Sequence, residues 1–345
     1  MKVGLLWSFR NPPKWRRPWA AFYEEQIQQA VLSEELGYDN IWLTEHHFSE
    51  DGYSPSLMPI AGNLAGRTTT ARIGTYLVLL PLHDARHVAE DAATVDILSN
   101  GRFDLGLGQG YVPNEFNNFE IDRTKRGSLL EEGVEVIRGM WTNESFSYHG
   151  EHYNMDDVRL QPRPVQDPPP IWIGARGTKA VRRTARLDCH FLGVSEPAGQ
   201  QLYDEMLTDL GKNPVNYFAT QLQWAYCAPT TDQAWEDCQE HLHHLLFWYQ
   251  KWAAEASDNI NKIQSDTEID LPDPDKLRAS LDQSIPGVPL IGTPEEVARG
   301  LDNFSNSMRM THLVVGMHFP GLDPVKSRQS MTLFAKEVLP LLHKK

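Results

Sequence analysis

Thr44-Glu45-His46-His47-Phe48 places an acid and two imidazoles side by side at the end of an apolar run, Tyr38 to Thr44 (YDNIWLT). An imidazole titrates near neutral pH, so a histidine here can act as acid, base or hydrogen-bond donor. The same residue types also ligate metals. Adjacent residues on an extended segment point to opposite sides, however, so at most two of Glu45, His46 and His47 can share one ion, and the His-Glu-x-x-His helical spacing is absent. No metal is expected. A second cluster, Glu240, His241, His243 and His244, has Glu240 and His244 on one helix face, an arrangement that a solvated helix in an acidic protein often supplies.

Glycines mark two further places. Gly101 to Tyr111 (GRFDLGLGQGY) carries Gly106, Gly108 and Gly110, which let the backbone approach a ligand closely or relieve crowding at a strand end. This is not the dinucleotide fingerprint. Gly174-Ala175-Arg176-Gly177-Thr178-Lys179-Ala180 turns from a strand into a helix start. Free backbone N–H groups there, with Arg176 and Lys179, make a plausible phosphate site in an otherwise acidic chain.

Lys and Arg number 32 against 46 Asp and Glu in 345 residues, a formal net charge of −14. That sign repels phosphate backbones and anionic membrane surfaces, so neither nucleic acid nor membrane is an expected partner. Cys189, Cys227 and Cys238 have no Cys-x-x-Cys spacing, which speaks for reduced thiols rather than a disulfide framework. No apolar run approaches the roughly 20 residues of a bilayer span. The amino terminus lacks a secretory pattern, and a cytoplasmic protein is expected.

The elements that must position these residues repeat one grammar. Apolar runs at Lys2 to Ser8, Tyr38 to Thr44, Arg72 to Leu80 and Phe103 to Gly108 each precede a segment of helical spacing: Ala20 to Leu36, Ser56 to Arg67, Ala85 to Leu98 and Arg126 to Trp141. Four more units follow, with strands at Ile171 to Ile173, Cys189 to Val194, Tyr217 to Cys227 and Thr311 to Met317. Thr293-Pro294-Glu295-Glu296 opens a further helix, and Pro324 to His343 is the last. Strands apolar on both faces and alternating with helices imply a parallel sheet, and eight units suffice to close it. The expected fold is α/β, a (β/α)8 TIM barrel, read as one domain over residues 1–345 with insertions near 111–125, 142–170 and 255–289. The last is rich in Asp, Pro and Ser, as a lid or a solvated excursion would be. In such a barrel the active site lies just beyond the carboxyl ends of the strands, where the segments above fall.

WLTEHHF (42 to 48), RIGTYLVLLPLHDARHVAEDAATVDILSNGRFDLGLGQGY (72 to 111), EFNNFEIDR (115 to 123), IWIGARG (171 to 177) and IGTPEEVARGLDNF (291 to 304) together resemble the bacterial luciferase-like, flavin-dependent monooxygenase superfamily. The resemblance implies a TIM barrel that binds reduced FMN noncovalently at its carboxyl face. FMNH2 from a separate flavin reductase then reacts with O2 to give a flavin C4a-peroxide, which oxidises a small organic substrate. His46 looks like the family's active-site histidine, and Tyr76-Leu77 like its non-prolyl cis peptide under the ring. Gly108, Gln109, Gly110 and Tyr111 look like the turn passing close to the flavin, and Gly174, Arg176, Gly177 and Thr178 like the phosphate side. The luciferase subunit has a cysteine and an arginine where Gly108 and Gln109 stand, so Arg126 or Arg176 would supply the phosphate charge. Glu90 resembles a buried family carboxylate, and Trp7, Phe48 and Met317 are candidate pocket walls beside Tyr111. A homodimer is expected by the same analogy. The alternatives are a relative using a deazaflavin for hydride transfer, and a flavin-binding barrel without turnover.

Overall fold

The computed structural model of the chain describes residues 1–195, 197–257 and 270–344. It opens with β1 (Lys2–Trp7), buried throughout after Lys2, and α1 (Trp19–Glu35). A parallel strand covered by helices on one side and facing a filled lumen on the other has no wet face. The unit repeats in β2 (Asn40–Leu43) and α2 (Leu57–Ala65), then β3 (Arg72–Thr75), the short β4 (Val78–Leu79) and α3 (Ala85–Leu98). β5 (Phe103–Gly108) leads to α4 (Pro113–Asn118) and α5 (Arg126–Thr142). An antiparallel hairpin, β6 (Phe146–His149) and β7 (Asn154–Val158), precedes β8 (Ile171–Gly174), α6 (Thr178–Arg186), β9 (His190–Val194) and α7 (Pro197–Asp209). The chain continues through β10 (Ala219–Cys227), α8 (Thr231–Ala256), α9 (Leu277–Ser280) and β11 (Leu290–Gly292). It finishes with α10 (Pro294–Asn306), β12 (His312–Gly316), α11 (Pro324–Glu337) and α12 (Leu339–His343).

Hydrogen bonding runs β1-β2-β3-β5-β8-β9-β10-β12, and β12 pairs in parallel with β1, closing eight strands into the expected barrel. β11 lies outside this ring. It pairs with the far end of β10, Ala225 opposite Leu290, while the near end holds β9 and β12. The capping box read at Thr293 and Glu296 is formed in full. Two expected elements are divided. The strand over 72–80 is in two pieces, β3 and β4, with a cis peptide bond between Tyr76 and Leu77. The last helix breaks at Val338, since Pro340 has no N–H to continue the ladder.

The stretch 111–125 contains α4, and 142–170 contains the β6–β7 hairpin, fastened to α5 by the Glu132 carboxylate, which accepts the backbone N–H groups of Glu151, His152 and Tyr153. Of the 255–289 stretch read as a lid or solvated excursion, residues 258–269 lie outside the described residues. Cys189, Cys227 and Cys238 are all free and buried.

Successive strand residues point to opposite faces, so each barrel strand feeds two cores. The outer one, between strands and helices, takes Leu5, Ile41, Leu43, Ile73, Leu105 and Val315. The lumen takes Leu6, Trp42, Tyr76, Trp172, Leu192 and Val314. Trp42 meets Tyr76 and Trp172 edge-on, each at 5.7 Å between centroids. Its indole has room only because both neighbouring strands carry glycine. A Cβ on Gly74 would lie 2.3 Å from Trp42 Cζ3, and one on Gly4 would lie 2.9 Å from Cδ1. At the opposite mouth, His190 and His312 pack against the rings of Trp172 and Phe218, and burial pushes both imidazoles down to about 4.

Two measurements test this core. Gly74→Ala overpacks the lumen and should lower the unfolding free energy by about 1–3 kcal/mol in a urea titration. Because His190 and His312 stay neutral when folded, the unfolded chain binds more protons between the ordinary value of 6.5 and about 4. Stability should therefore fall as pH drops through that window, by up to roughly 1.4 kcal/mol per pH unit for each imidazole. Thermal midpoints measured across it should show the loss, and His312→Phe should make it shallower.

Candidate active site

Beyond β2 the chain crosses the carboxyl mouth of the barrel, where His46 is buried. Its Nδ1 lies 2.8 Å from Glu115 Oε1, and the same oxygen accepts the backbone N–H of His47 at 2.8 Å. Glu115 rides on α4, in the stretch read as an insertion, and opens the EFNNFEIDR segment that carries part of the family resemblance without a role of its own. A carboxylate on Nδ1 fixes the ring and its tautomer, with the proton on Nδ1 and the lone pair on Nε2. Around the imidazole stand Trp252 at 4.5 Å, Tyr53 at 4.8 Å and Tyr111 at 5.7 Å between centroids. The Tyr53 hydroxyl donates to Thr44 Oγ1 at 3.1 Å and shares a hydrogen bond of 2.9 Å with Tyr249. Burial raises the phenols of Tyr53, Tyr111 and Tyr249 above their ordinary 10.0, so they are neutral at physiological pH.

Glu45 faces a different cluster. Its Oε1 lies 2.8 Å from Nε2 of both His47 and His83, and 3.4 Å from the backbone N–H of Leu79. Burial works against this carboxylate, but the two imidazoles hold it below its usual range. Burial also depresses His83, and the Glu45 carboxylate outweighs it and leaves the imidazole raised. The three side chains bring ligand-type atoms within 4.8 Å of one another, already joined by their own hydrogen bonds. The Glu45-His46-His47 triplet thus divides between two partners, Glu115 and His83, neither of which its spacing indicates.

Beside this lies the second group of expected residues. The Tyr76 hydroxyl donates to the Gly193 carbonyl, and Leu77 lies across the ends of β5 and β8. A Cβ on Gly108 would sit 2.2 Å from Leu77 Cδ1, and one on Gly174 would sit 2.0 Å from Cδ2, so both positions are glycine because Leu77 fills their side-chain space. Gly110 has φ +67°, the left-handed region, with Phe116 against it. Gln109 Oε1 accepts from Arg183 Nη1 at 2.9 Å, and Arg183 Nε pairs with Glu131 at 2.7 Å. Arg183, on α6, is a cation the sequence reading did not single out. Arg126 opens α5, its Nη1 donating to the Arg123 carbonyl at 2.8 Å. Gly177, at φ +77°, begins α6 with no side-chain cap and nothing within 4 Å of its Cβ position. Arg176, Gly177 and Thr178 are exposed there, so a helix amino terminus with uncapped N–H groups stands open beside a cation. Tyr111 joins the two groups, following Gly110 in the chain and facing His46.

Four expectations need correction. Phe48, at φ 58°, is 58% exposed and rests on Phe119 rather than forming an enclosed wall. Met317 is fully buried in the outer core, 3.9 Å from the Tyr38 hydroxyl, because strand alternation points it away from the lumen. Trp7 also belongs to that core, its ring 3.6 Å from the His318 imidazole. Glu90 is exposed, since α3 turns Ala89, Ala92 and Ala93 inward instead. Of the α8 cluster, Glu240 pairs with Lys14 at the surface, while His244 Nε2 reaches Asp51 at 3.5 Å.

Asp51 leads to Arg10, which the reading of the first strand and its loop passed over. Arg10 Nε donates to Asp51 Oδ2 at 2.5 Å, and the Ser49 hydroxyl donates to Oδ1 at 2.8 Å. Despite burial, His244, Arg10 and Ser49 hold the Asp51 carboxyl far below its usual range. The only sequence signal for Arg10 is a charged residue close behind a fully apolar strand.

The profile of the family described as luciferase-like monooxygenase matches residues 1–310. An uncharacterized protein, y4vJ, of Sinorhizobium fredii is 31% identical over 48% of this chain, which spans about half the length of that relative. The F420-dependent glucose-6-phosphate dehydrogenase of Amycolatopsis mediterranei is 26% identical over 92% of this chain and 93% of its own. The alkanal monooxygenase alpha chain of Photobacterium leiognathi is 27% identical with the same shares. The monooxygenase RslO1 of Streptomyces bottropensis superposes with a TM-score of 0.84 at 24% identity, over 99% of this chain and 100% of that one. The oxygenating constituent of 3,6-diketocamphane monooxygenase of Pseudomonas putida, solved with FMN, does so with 0.80 at 18%, over 99% and 98%. These relatives include both monooxygenases and F420-dependent enzymes. The chain belongs to the luciferase-like monooxygenase family.

Proposed function

We propose that this protein is the oxygenase component of a two-component monooxygenase, taking reduced FMN from a separate reductase and using O2 to oxidise a small organic substrate. The observation that carries this reading is the His46–Glu115 pair, buried among Trp252, Tyr53 and Tyr111 at the carboxyl mouth. The cofactor's needs fit the residues present. Leu77, lying over Gly108 and Gly174, offers a flat apolar bed, and the uncapped start of α6 offers N–H groups for a phosphate. Tyr76, Leu77, Gly108, Gln109, Gly110 and Tyr111 would hold the ring side, and Arg126, Gly174, Arg176, Gly177 and Thr178 the phosphate side. When bound, reduced FMN supplies the electrons that activate O2 for insertion of one oxygen atom.

The chain's own share is geometric and protonic. Glu115 accepts a hydrogen bond from the Nδ1–H of His46 and so presents Nε2 to the reaction as a proton acceptor, or as a donor once charged. The aromatic wall keeps water from the reacting centre, where a stray proton would divert oxygen chemistry. A second reading, hydride transfer with a deazaflavin, is favoured by the likeness to the glucose-6-phosphate dehydrogenase over 93% of that protein. His46 would serve its proton transfer equally well.

Anaerobic titration of the protein with FMN, reduced FMN and the deazaflavin separates the readings. Preferential binding of reduced FMN, followed by substrate-dependent O2 uptake, is the expected result. Tight deazaflavin binding with indifference to FMN makes the protein a dehydrogenase, and binding of neither refutes a flavin role. His46→Gln should lower turnover by roughly 10²-fold or more, and Glu115→Gln by about 10–100-fold, with little change in reduced-FMN affinity. Gly174→Ala should do the reverse. Displacing Leu77 costs about 1–3 kcal/mol of packing, and a loss of that size at the flavin bed weakens reduced-FMN binding by about tenfold.

A further inference from the structure

β2 and β3 pair in parallel, so the segments that leave their carboxyl ends meet at the mouth of the barrel. Glu45 and His47 follow β2, two residues apart and therefore on one side of an extended segment. His83 follows β4 and stands 38 residues beyond Glu45. The Glu45-His46-His47 triplet alone allows an ion at most two shared ligands, and the neighbouring segment adds a third. Among the described residues this is the one group of three His, Cys, Asp or Glu side chains whose ligand atoms all lie within 4.8 Å of one another.

The way these atoms converge is that of a ligand set. Among the described residues Glu45 accepts three hydrogen bonds, and all fall on Oε1: from Nε2 of His47 and of His83 at 2.8 Å each, and from the Leu79 N–H at 3.4 Å. A carboxylate held by hydrogen bonds alone can spread its donors over two oxygens and about four lone-pair directions. Here both imidazoles aim Nε2 at one point. A tetrahedral Zn²⁺ with bonds of about 2.0–2.1 Å keeps its ligand atoms roughly 3.3 Å apart, so each 2.8 Å edge has to open by only roughly 0.5 Å. Two imidazole nitrogens and one carboxylate oxygen suit a borderline first-row ion, whereas Mg²⁺ and Ca²⁺ favour oxygen shells. Three protein ligands plus water is the arrangement of open zinc sites. The side chains of Glu45 and His47 are buried, but that of His83 is 32% exposed. His83 also lines an open cavity of about 490 Å³ with Asp84, His152 and Asn154. An ion can therefore arrive from solvent, and water can complete its coordination.

We propose that Glu45, His47 and His83 bind one divalent first-row transition ion, of which Zn²⁺ is the type, through Oε1 and the two Nε2 atoms. On binding, each Nε2 gives its lone pair to the metal, and the proton it carried passes to Nδ1 or to solvent. His46 is outside the set, since its Nδ1 is held by Glu115. The site is separate from the bed of Leu77, Gly108 and Gly174, and it does not depend on the monooxygenase reading.

Calorimetric titration of the metal-free full chain with zinc chloride, and with magnesium chloride for comparison, tests it. One Zn²⁺ per chain should bind with a dissociation constant of roughly a micromolar or tighter, and Mg²⁺ about 100-fold or more weakly. His83→Gln and His47→Gln should each weaken Zn²⁺ by about 100-fold, because each removes one of three donors. His46→Gln, and His149→Gln at the exposed hairpin, should leave it within about twofold. Co²⁺ in place of Zn²⁺ should show visible absorption bands that His83→Gln abolishes. His83 is partly exposed and can be replaced without opening the core, so it decides the matter should His47→Gln not fold. Failure to saturate at one Zn²⁺ per chain, a Zn²⁺ affinity that survives His83→Gln, or Mg²⁺ binding as tightly as Zn²⁺ overturns the proposal and leaves Glu45 its hydrogen bonds alone. None of these results bears on flavin binding, which is measured separately.

Discussion

The lumen of an eight-stranded barrel has a nearly fixed cross-section, and in this protein large side chains meet absent ones across it. Trp42 occupies the space that side chains at Gly4 and Gly74 would need, and Leu77 occupies that of Gly108 and Gly174. The two exchanges lie at different heights. The lower one, with Tyr76 and Trp172, fills the interior and makes the barrel a packed core rather than a pore. The upper one brings a leucine onto the strand ends and gives the carboxyl mouth its floor. A close-packed core leaves no slack for either partner to move alone, so the shape of the mouth follows from the filling beneath it.

Above that floor the electrostatics divide into separate cells, each built on one buried carboxylate. Glu45 holds His47 and His83, Glu115 holds His46 and the His47 amide, and Asp51 holds Arg10, Ser49 and His244. A buried carboxylate is tolerable only with such partners, and each imidazole gains an orientation from the arrangement. The cells serve different ends. His83 and His47 are tied into a closed cluster, whereas His46 is held by one nitrogen among aromatic rings, which is what a proton-transferring group requires.

How much of this was legible follows from the range of the interactions involved. The strands and helices were readable because apolar runs, spacing and caps are local, and the Thr293–Glu296 capping box spans one turn. His46 stood out because it directly follows a strand, and Gly177 because its turn feeds a helix. Glu115, Arg10 and Trp252 were not readable, because each matters through a partner distant in the chain and each type is commonplace alone. Leu77 over Gly108 and Gly174 was half readable: the glycines announced a close approach without saying whether a ligand or a neighbouring side chain made it. Phe48 and Met317 failed for a simpler reason. Adjacency to a strand end does not fix which way a side chain points, and one residue of register exchanges mouth for core or solvent.

The site is consequently made from two kinds of material. The bed of Leu77, Gly108 and Gly174 and the opening turn of α6 come from the repeating strand–helix units, so they are tied to barrel geometry and cannot vary far without disturbing the lumen. Glu115 on α4, Trp252 and Tyr249 on the last turns of α8, and Tyr53 with Asp51 in the loop after β2 come from segments outside the ring of strands. Those segments are free to change while the bed is kept. The relatives of this chain include both monooxygenases and F420-dependent enzymes. On the proposed reading, the closed ring of strands would meet what a cofactor requires, and the helices and loops laid over its mouth would meet what a particular substrate requires.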